Sequence, residues 1–312
     1  MKKTLAILLA LVLTLTAAIA LGEAPTPPSK KVAWVASNIA NEFTTGMADN
    51  AVAVGAEHGW EVTVFNPDSD LSKQVSQIET ATTQGYAAII FDPVAYDGMT
   101  AVVESVMSTA KIPVITLHGS ASCQDLLTAY VAVDLTKGGE LKMEQVMKDL
   151  GGKGDICIMT GTEGQTSAIL VTTGYENVLK DYPDINVVFQ GAGNWSADGA
   201  TPLAENWLSS GKHIDAIVCN NDGMALGVRA VLQANGMTGK IKLYGLDATA
   251  EGRASVRDGS MDASIWVDSH AEFVAAFEII DKYYAGEDFE KEVMVAPSLV
   301  TKDNVDELFP ND

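Results

Sequence analysis

Amides, carboxylates, hydroxyls and aromatic rings recur in this chain just after short apolar runs. Ser37 and Asn38 follow the run 32–36, with Asn41 and Phe43 close behind. Asp92 follows 87–91, His118 follows 113–117, and Thr160 with Glu163 and Gln165 follows 155–159. Trp195 comes after 186–189, Asn221 after 216–219, Asp247 after 241–246 and Asp268 after 263–267. Amides and carboxylates offer paired donors and acceptors to hydroxyl groups. An aromatic face stacks on the C–H face of a sugar or polyol ring. The inventory suits a small, neutral, polyhydroxylated ligand.

What is missing narrows the choice. The three arginines, Arg229, Arg253 and Arg257, all fall in predicted helices, so no strand end carries the bidentate clamp for a carboxylate or phosphate. An anionic ligand is disfavoured, although helix N-termini alone can hold anions. A neutral polyol or a cation such as an amino sugar is allowed. No Ser or Cys sits in a nucleophile elbow, and His58, His118, His213 and His270 are scattered. Neither an enzyme activity, a cofactor nor a metal is expected. Gly151-Gly-Lys-Gly154 lacks the Lys-Ser/Thr ending of a phosphate loop and reads as a turn. Cys123, Cys157 and Cys219 have no paired metal spacing and read as unpaired, the last two as buried apolar residues.

Each singled-out residue also has a plainer reading. Asp222 reads as a helix cap, whereas Asn221 reads as a ligand contact because of what the other strand ends carry. Phe43 is either a ligand contact or a hydrophobic anchor at the start of its helix. Trp195 either stacks on ligand or packs under a loop. His118 is either a ligand contact or a hydrogen-bonded spacer. Asp247 could cap the next helix, but a carboxylate facing hydroxyls suits it better.

The elements that must position these residues alternate strand and helix almost throughout. Predicted helices cover about 44–58, 71–84, 99–110, 135–150, 166–180, 198–209, the stretch after Asp222, 250–258 and 272–284; a last short strand is predicted at 298–300. Short connections between them predict parallel sheets with helices on both faces. Two successive rounds in 312 residues predict two similar Rossmann-like lobes, an α/β fold with a ligand cleft facing the strand ends of both.

A net charge of −21 repels phosphate backbones, so nucleic acid is not an expected partner. The start, Met1-Lys2-Lys3, then uncharged 4–20 ending Ala18-Ile-Ala20, predicts a signal peptide over 1–20. Residues 21–30, with Pro25, Pro27 and Pro28, read as a linker. The product is expected to be exported, to the periplasm or the outer face of the cell membrane.

Four stretches carry a resemblance. Val35-Ala-Ser-Asn-Ile-Ala-Asn-Glu-Phe43, Pro113-Val-Ile-Thr-Leu117, Asn221-Asp-Gly-Met-Ala-Leu-Gly227 and Tyr244-Gly-Leu-Asp247 resemble the ribose-binding branch of periplasmic sugar-binding proteins, in order and at similar spacing. That resemblance implies a monomeric solute receptor that closes over a sugar or polyol and presents it to an ABC permease. It also implies a three-segment hinge near 133–134, 267–268 and 295–296. One lobe would then comprise 31–133 with 268–295, and the other 134–267 with 296–312. Asn41, Phe43, Asn221 and Asp247 match the family's ligand positions, and Trp195 falls where a stacking aromatic is common. The chain departs where family members typically have Asp-Arg after Val-Ile-Thr-Leu; here the pair is His118-Gly119. The helix position of a second ligand Arg corresponds to Val171, and a Gln near the second crossing is replaced around Val267-Asp268. The resemblance therefore implies the scaffold but not ribose, with His118, Glu163, Gln165 and Asp268 as the residues that change specificity. A sensory receptor component of the same fold, serving chemotaxis or a sensor kinase, is the alternative.

Overall fold

The computed structural model describes residues 24–312. The predicted signal peptide lies outside the described residues, and the linker is described only from Ala24. Twelve strands form two six-stranded sheets. The first is built from β1 (Lys31–Val35), β2 (Glu61–Phe65), β3 (Ala88–Phe91), β4 (Val114–Leu117), β5 (Ala129–Val133) and β11 (Glu292–Val295). Its order is β11-β5-β4-β3-β1-β2, parallel throughout. The second holds β6 (Gly154–Thr160), β7 (Ile185–Ala192), β8 (Ala216–Cys219), β9 (Lys242–Tyr244), β10 (Ala263–Trp266) and β12 (Ser298–Thr301). Its order is β12-β10-β9-β8-β6-β7, with only β12 antiparallel. The α/β prediction of two wound lobes holds.

Strands β3, β4, β5 and β8 are buried at every residue, as apolar runs covered on both faces must be. Helices α1 (Glu42–Glu57), α2 (Leu71–Thr83), α3 (Thr100–Thr109) and α9 (Ser269–Ala285) cover the first sheet. Helices α4 (Leu135–Leu150), α5 (Thr166–Leu179), α6 (Ala197–Ser209), α7 (Asp222–Ala234) and α8 (Ala250–Asp258) cover the second, and α10 (Val305–Leu308) ends the chain against it. The chain thus passes between sheets at β5–α4, at β10–α9 and at β11–β12.

Side-chain caps start the helices that follow the strand ends. Asp134 accepts the Lys137 N–H at the head of α4, and Asp268 accepts the Ala271 N–H at the head of α9. Each such cap stabilises a helix by about 1 kcal/mol. The Asp268 cap starts α9 at Ser269, three residues before the helix was predicted. Strand β11 was not predicted: it is an edge strand of four residues whose burial alternates, and its only neighbour, β5, lies far back in the chain.

Helices α4 and α5 approach backbone to backbone. A Cβ on Gly139 would meet the Val171 carbonyl at 2.3 Å, and one on Gly174 would meet the Thr136 carbonyl at 2.3 Å. Two glycines therefore set how closely α5 lies beside α4, and with it where the first turn of α5 points. Among the described residues no helix is long and apolar enough to cross a membrane.

Candidate ligand-binding cleft

The carboxyl ends of both sheets face a cavity of about 370 Å3. That is a size suited to a small organic molecule. Nine of the ten residues singled out from the sequence line it: Asn41, Phe43, Asp92, His118, Glu163, Gln165, Trp195, Asn221 and Asp247. Asp268 does not. Its carboxylate faces the first turn of α9 as the cap described above, so the strand-end position there serves the helix and not the cleft.

The first sheet supplies one wall. Asn41 caps α1 through Oδ1, which accepts the Thr44 N–H at 2.9 Å, while its amide nitrogen makes no bond within the protein. Ser37 Oγ donates to Asp92 Oδ2 at 2.5 Å, so these two strand-end groups form a single polar unit. Gln74 holds both loops from beneath. This fully buried side chain donates to the carbonyls of Ala36 (3.0 Å) and Asp92 (2.6 Å) and accepts the Val94 N–H at 3.0 Å. All its hydrogen-bonding capacity is satisfied, as burial requires.

The second sheet supplies the other wall. Asn221 Oδ1 caps α7 by accepting the Met224 N–H at 3.0 Å, and Nδ2 donates one hydrogen to the Trp195 carbonyl at 3.2 Å. The second amide hydrogen has no partner among the described residues. Capping and cavity lining therefore coexist in Asn221. Asp222, expected as the cap, is instead the first residue of the helix; it accepts from Ser264 Oγ at 2.7 Å and from the Thr249 N–H at 2.8 Å. Trp195 donates its indole N–H to Gln165 Oε1, so its ring is oriented by a neighbour that also lines the cavity. The ring lies over Gly161, where a Cβ would meet it at 2.0 Å. Gln165 precedes α5 without capping it by its side chain, and Thr166 and Ser167 bring the first turn of that helix to the cavity.

Three of the lining residues hold left-handed backbone: His118 at φ 68°, Trp195 at φ 62° and Asp247 at φ 113°. Each costs about 1–3 kcal/mol, and such residues cluster where function requires a fixed direction. The charge pattern is as specific. Burial pushes Asp92 above its ordinary value, partly offset by His118. Burial, with Asp222 beside it, pushes Asp247 well above the carboxylate range. A carboxyl so held can donate as well as accept. Beneath this wall lies Lys142 of α4, fully buried, donating to the Cys219 carbonyl at 2.5 Å and lowered by burial to about 7. Burial alone would lower His118, but Glu272, Asp92 and Asp247 around it raise it to about 9. These carboxylates favour the protonated form of His118 in a cleft that no lysine or arginine lines.

The walls also touch one another. Phe43 packs against the apolar cluster of the first sheet and against that of the second. Its ring lies 5.2 Å from that of His118. The arrangement is a closed one.

Sequence comparison decides the family: a model of the periplasmic binding protein domain matches residues 32–288. The chain belongs to that family. A xylitol-binding protein of Mycolicibacterium smegmatis is 32% identical over 271 residues, 86% of this chain and 76% of that one. A ribose import binding protein of Haemophilus influenzae is 26% identical over 294 residues, 92% of this chain and 98% of that one. Among solved structures, an ABC transporter solute-binding protein of Bacillus halodurans with bound myo-inositol matches at 31% identity. Its TM-score is 0.84, over 91% of this chain and 98% of that one. The resemblance to sugar-binding members, read from four short stretches, is therefore found across nearly the whole periplasmic binding protein.

Three participants were invisible in the sequence. Gln74, Lys142 and Glu272 are polar residues in helix interiors, where a charged or amide side chain reads as solvent-facing. The available signal was spacing: Lys142 stands four residues from Gly138 and Val146, Gln74 four from Ile78, and Glu272 four from Ala276, each on the face its helix buries.

Proposed function

We propose that this periplasmic binding protein captures a neutral cyclitol, sugar alcohol or sugar in the interlobe cavity. It hands that ligand, in the closed form, to an ABC permease outside the cytoplasm. The observation that carries the reading is the lining itself. Amides and carboxyls at strand ends, Asn41, Asp92, Asn221 and Asp247, surround a space walled by Phe43 and Trp195, with no lysine or arginine. Paired donors and acceptors match hydroxyls, and the rings match C–H faces. The relatives' ligands, xylitol, ribose and myo-inositol, are all of this chemistry. Among them a cyclitol or pentitol suits this cleft best, because Gly119 and Val171 stand where sugar-binding members typically carry arginine. Closure follows if ligand binds the closed arrangement more tightly than the open one. No step of bond making is needed, and the residues perform binding only.

A thermal-shift series tests this, with myo-inositol, xylitol and ribose against an inositol phosphate and a sugar acid. A true ligand at about 100 times its Kd adds about 2.7 kcal/mol of stability. Stabilisation by the anions and not by the neutral polyols would overturn the reading.

A further inference from the structure

Glu272 lies on α9 and does not line the cavity, yet it is fully buried. A carboxylate in that position is costly unless it is partnered. Its Oε1 accepts the Val133 N–H at 3.0 Å and stands 3.5 Å from His118 Nδ1. Its Oε2 has no partner in the protein, and among the described residues no lysine or arginine pairs with it. His118 completes the picture from the other side. Nδ1 is buried without a hydrogen-bond partner among the described residues, 3.5 Å from Glu272 Oε1. Nε2 makes no hydrogen bond within the protein and is not among the buried unpartnered atoms, so it is the ring nitrogen open to the cavity that His118 lines.

We propose that Glu272 is the positioning residue of this cleft. It holds the His118 ring with Nδ1–H inward, so that Nε2–H points at the ligand as a fixed cationic donor. Through Val133 it also ties that donor to the place where the chain leaves the first sheet for α4. The ligand half of the proposal rests on the binding reading above; the His118 half does not.

Three titratable groups face the imidazole. Glu272 comes from α9, Asp92 from the end of β3 and Asp247 from the turn after β9. Tyr130 of β5 stands against Glu272, and burial keeps its phenol neutral. Glu272 contributes more to raising His118 than Asp92 or Asp247 does, and both of those are themselves pushed upward by burial. A neutral imidazole could present either a donor or an acceptor to the cavity. An imidazolium anchored at Nδ1 presents only a donor. It therefore selects a ligand with an oxygen lone pair at that point.

The test is a histidine 15N NMR titration of the exported chain, whose four histidines keep the spectrum simple. His118→Gln identifies the resonance. In wild type, the His118 ring is expected to stay doubly protonated until close to pH 9. In Glu272→Gln, whose amide has nearly the same shape, it should lose its proton about 100-fold more readily, below pH 7. Identical titration in the two proteins overturns the proposal. A parallel arm measures affinity for myo-inositol at pH 5.5 and pH 8. Wild type should change little, whereas Glu272→Gln should weaken about tenfold at the higher pH as the imidazole becomes neutral. A flat variant profile removes the ligand-facing half. If wild type binds no neutral polyol, the binding reading fails, and the titration still decides the role of Glu272. Should Glu272→Gln not fold, Glu272→Asp withdraws the carboxylate by one methylene; an unchanged His118 titration there overturns the proposal equally.

Discussion

The Glu42 carboxylate accepts a 2.7 Å hydrogen bond from the Ala250 N–H, and the two residues belong to helices that cover different sheets. Each stands in the first turn of its helix, α1 or α8. Both helix N-termini carry partial positive charge, so one carboxylate between them favours their approach. Glu42 is not among the cavity-lining residues.

Removing that bridge should therefore act on closure alone. Glu42→Ala, which leaves the Ala250 N–H without its acceptor, is expected to weaken polyol binding about threefold to tenfold by favouring the open form. Calorimetry gives the affinity, and small-angle scattering of the ligand-free protein gives the mean separation of the lobes. Unchanged affinity together with unchanged scattering would show that the contact has no part in closure.

The two roles of Asn221 can be separated. Ser caps a helix as well as Asn does, so Asn221→Ser should keep Tm within about 2 °C of wild type. It loses the amide hydrogen left for ligand, and affinity should fall about tenfold. If binding stays at wild-type strength, Asn221 is a cap and nothing more.

Trp195 depends on empty space at Gly161. Gly161→Ala places a methyl 2.0 Å from the indole and must displace it from the cavity wall. Overpacking of this kind costs about 1–3 kcal/mol, and here the ring can move where the backbone cannot. The expected result is a changed tryptophan emission and loss of most ligand affinity. Retention of both would mean the ring is not a wall of the binding site.

Asp222 gives stability a pH signature. Burial raises its carboxyl from 3.8 to about 6, against the hydrogen bonds from Ser264 and from the Thr249 N–H that lower it. The folded chain thus holds a proton that the unfolded chain has released between those values. This contribution to stability is complete below about pH 4 and is lost as pH rises through 6. The difference in Tm between wild type and Asp222→Asn should accordingly decline by roughly 5 °C from pH 4 to pH 6.5. His118 acts in the same sense from 6.5 to about 9, and Lys142, lowered to about 7, in the opposite sense above that value. Asp92 and Asp247 are raised as well, so the assignment rests on the difference between wild type and Asp222→Asn, and a difference flat across the carboxyl window would remove it.

Position after a strand was enough to gather most of the cleft. Asn41, His118, Asn221 and Asp247 sit at the carboxyl ends of parallel strands, and every such end in a wound sheet lies on one side. Asp134 and Asp268 show the limit of that rule. Each follows a strand where the chain passes between sheets, and each turns its carboxylate to the next helix. Strand β11 escaped detection because four residues alternating between exposed and half-buried are too short a run to signal a strand, and it pairs only with β5.

Hydrophobic periodicity is a local property, so residue order alone determined the alternation of strand and helix, the two wound sheets and the polar ring at their ends. Burial of a charge is not local. Whether Gln74 clamps two loops, whether Lys142 lies under a strand, and whether Glu272 stands 3.5 Å from His118 depend on segments brought together from distant parts of the chain. Only the packed tertiary structure, by gathering Glu272, Asp92 and Asp247 around His118 against the opposing effect of burial, favours the protonated ring in the cleft.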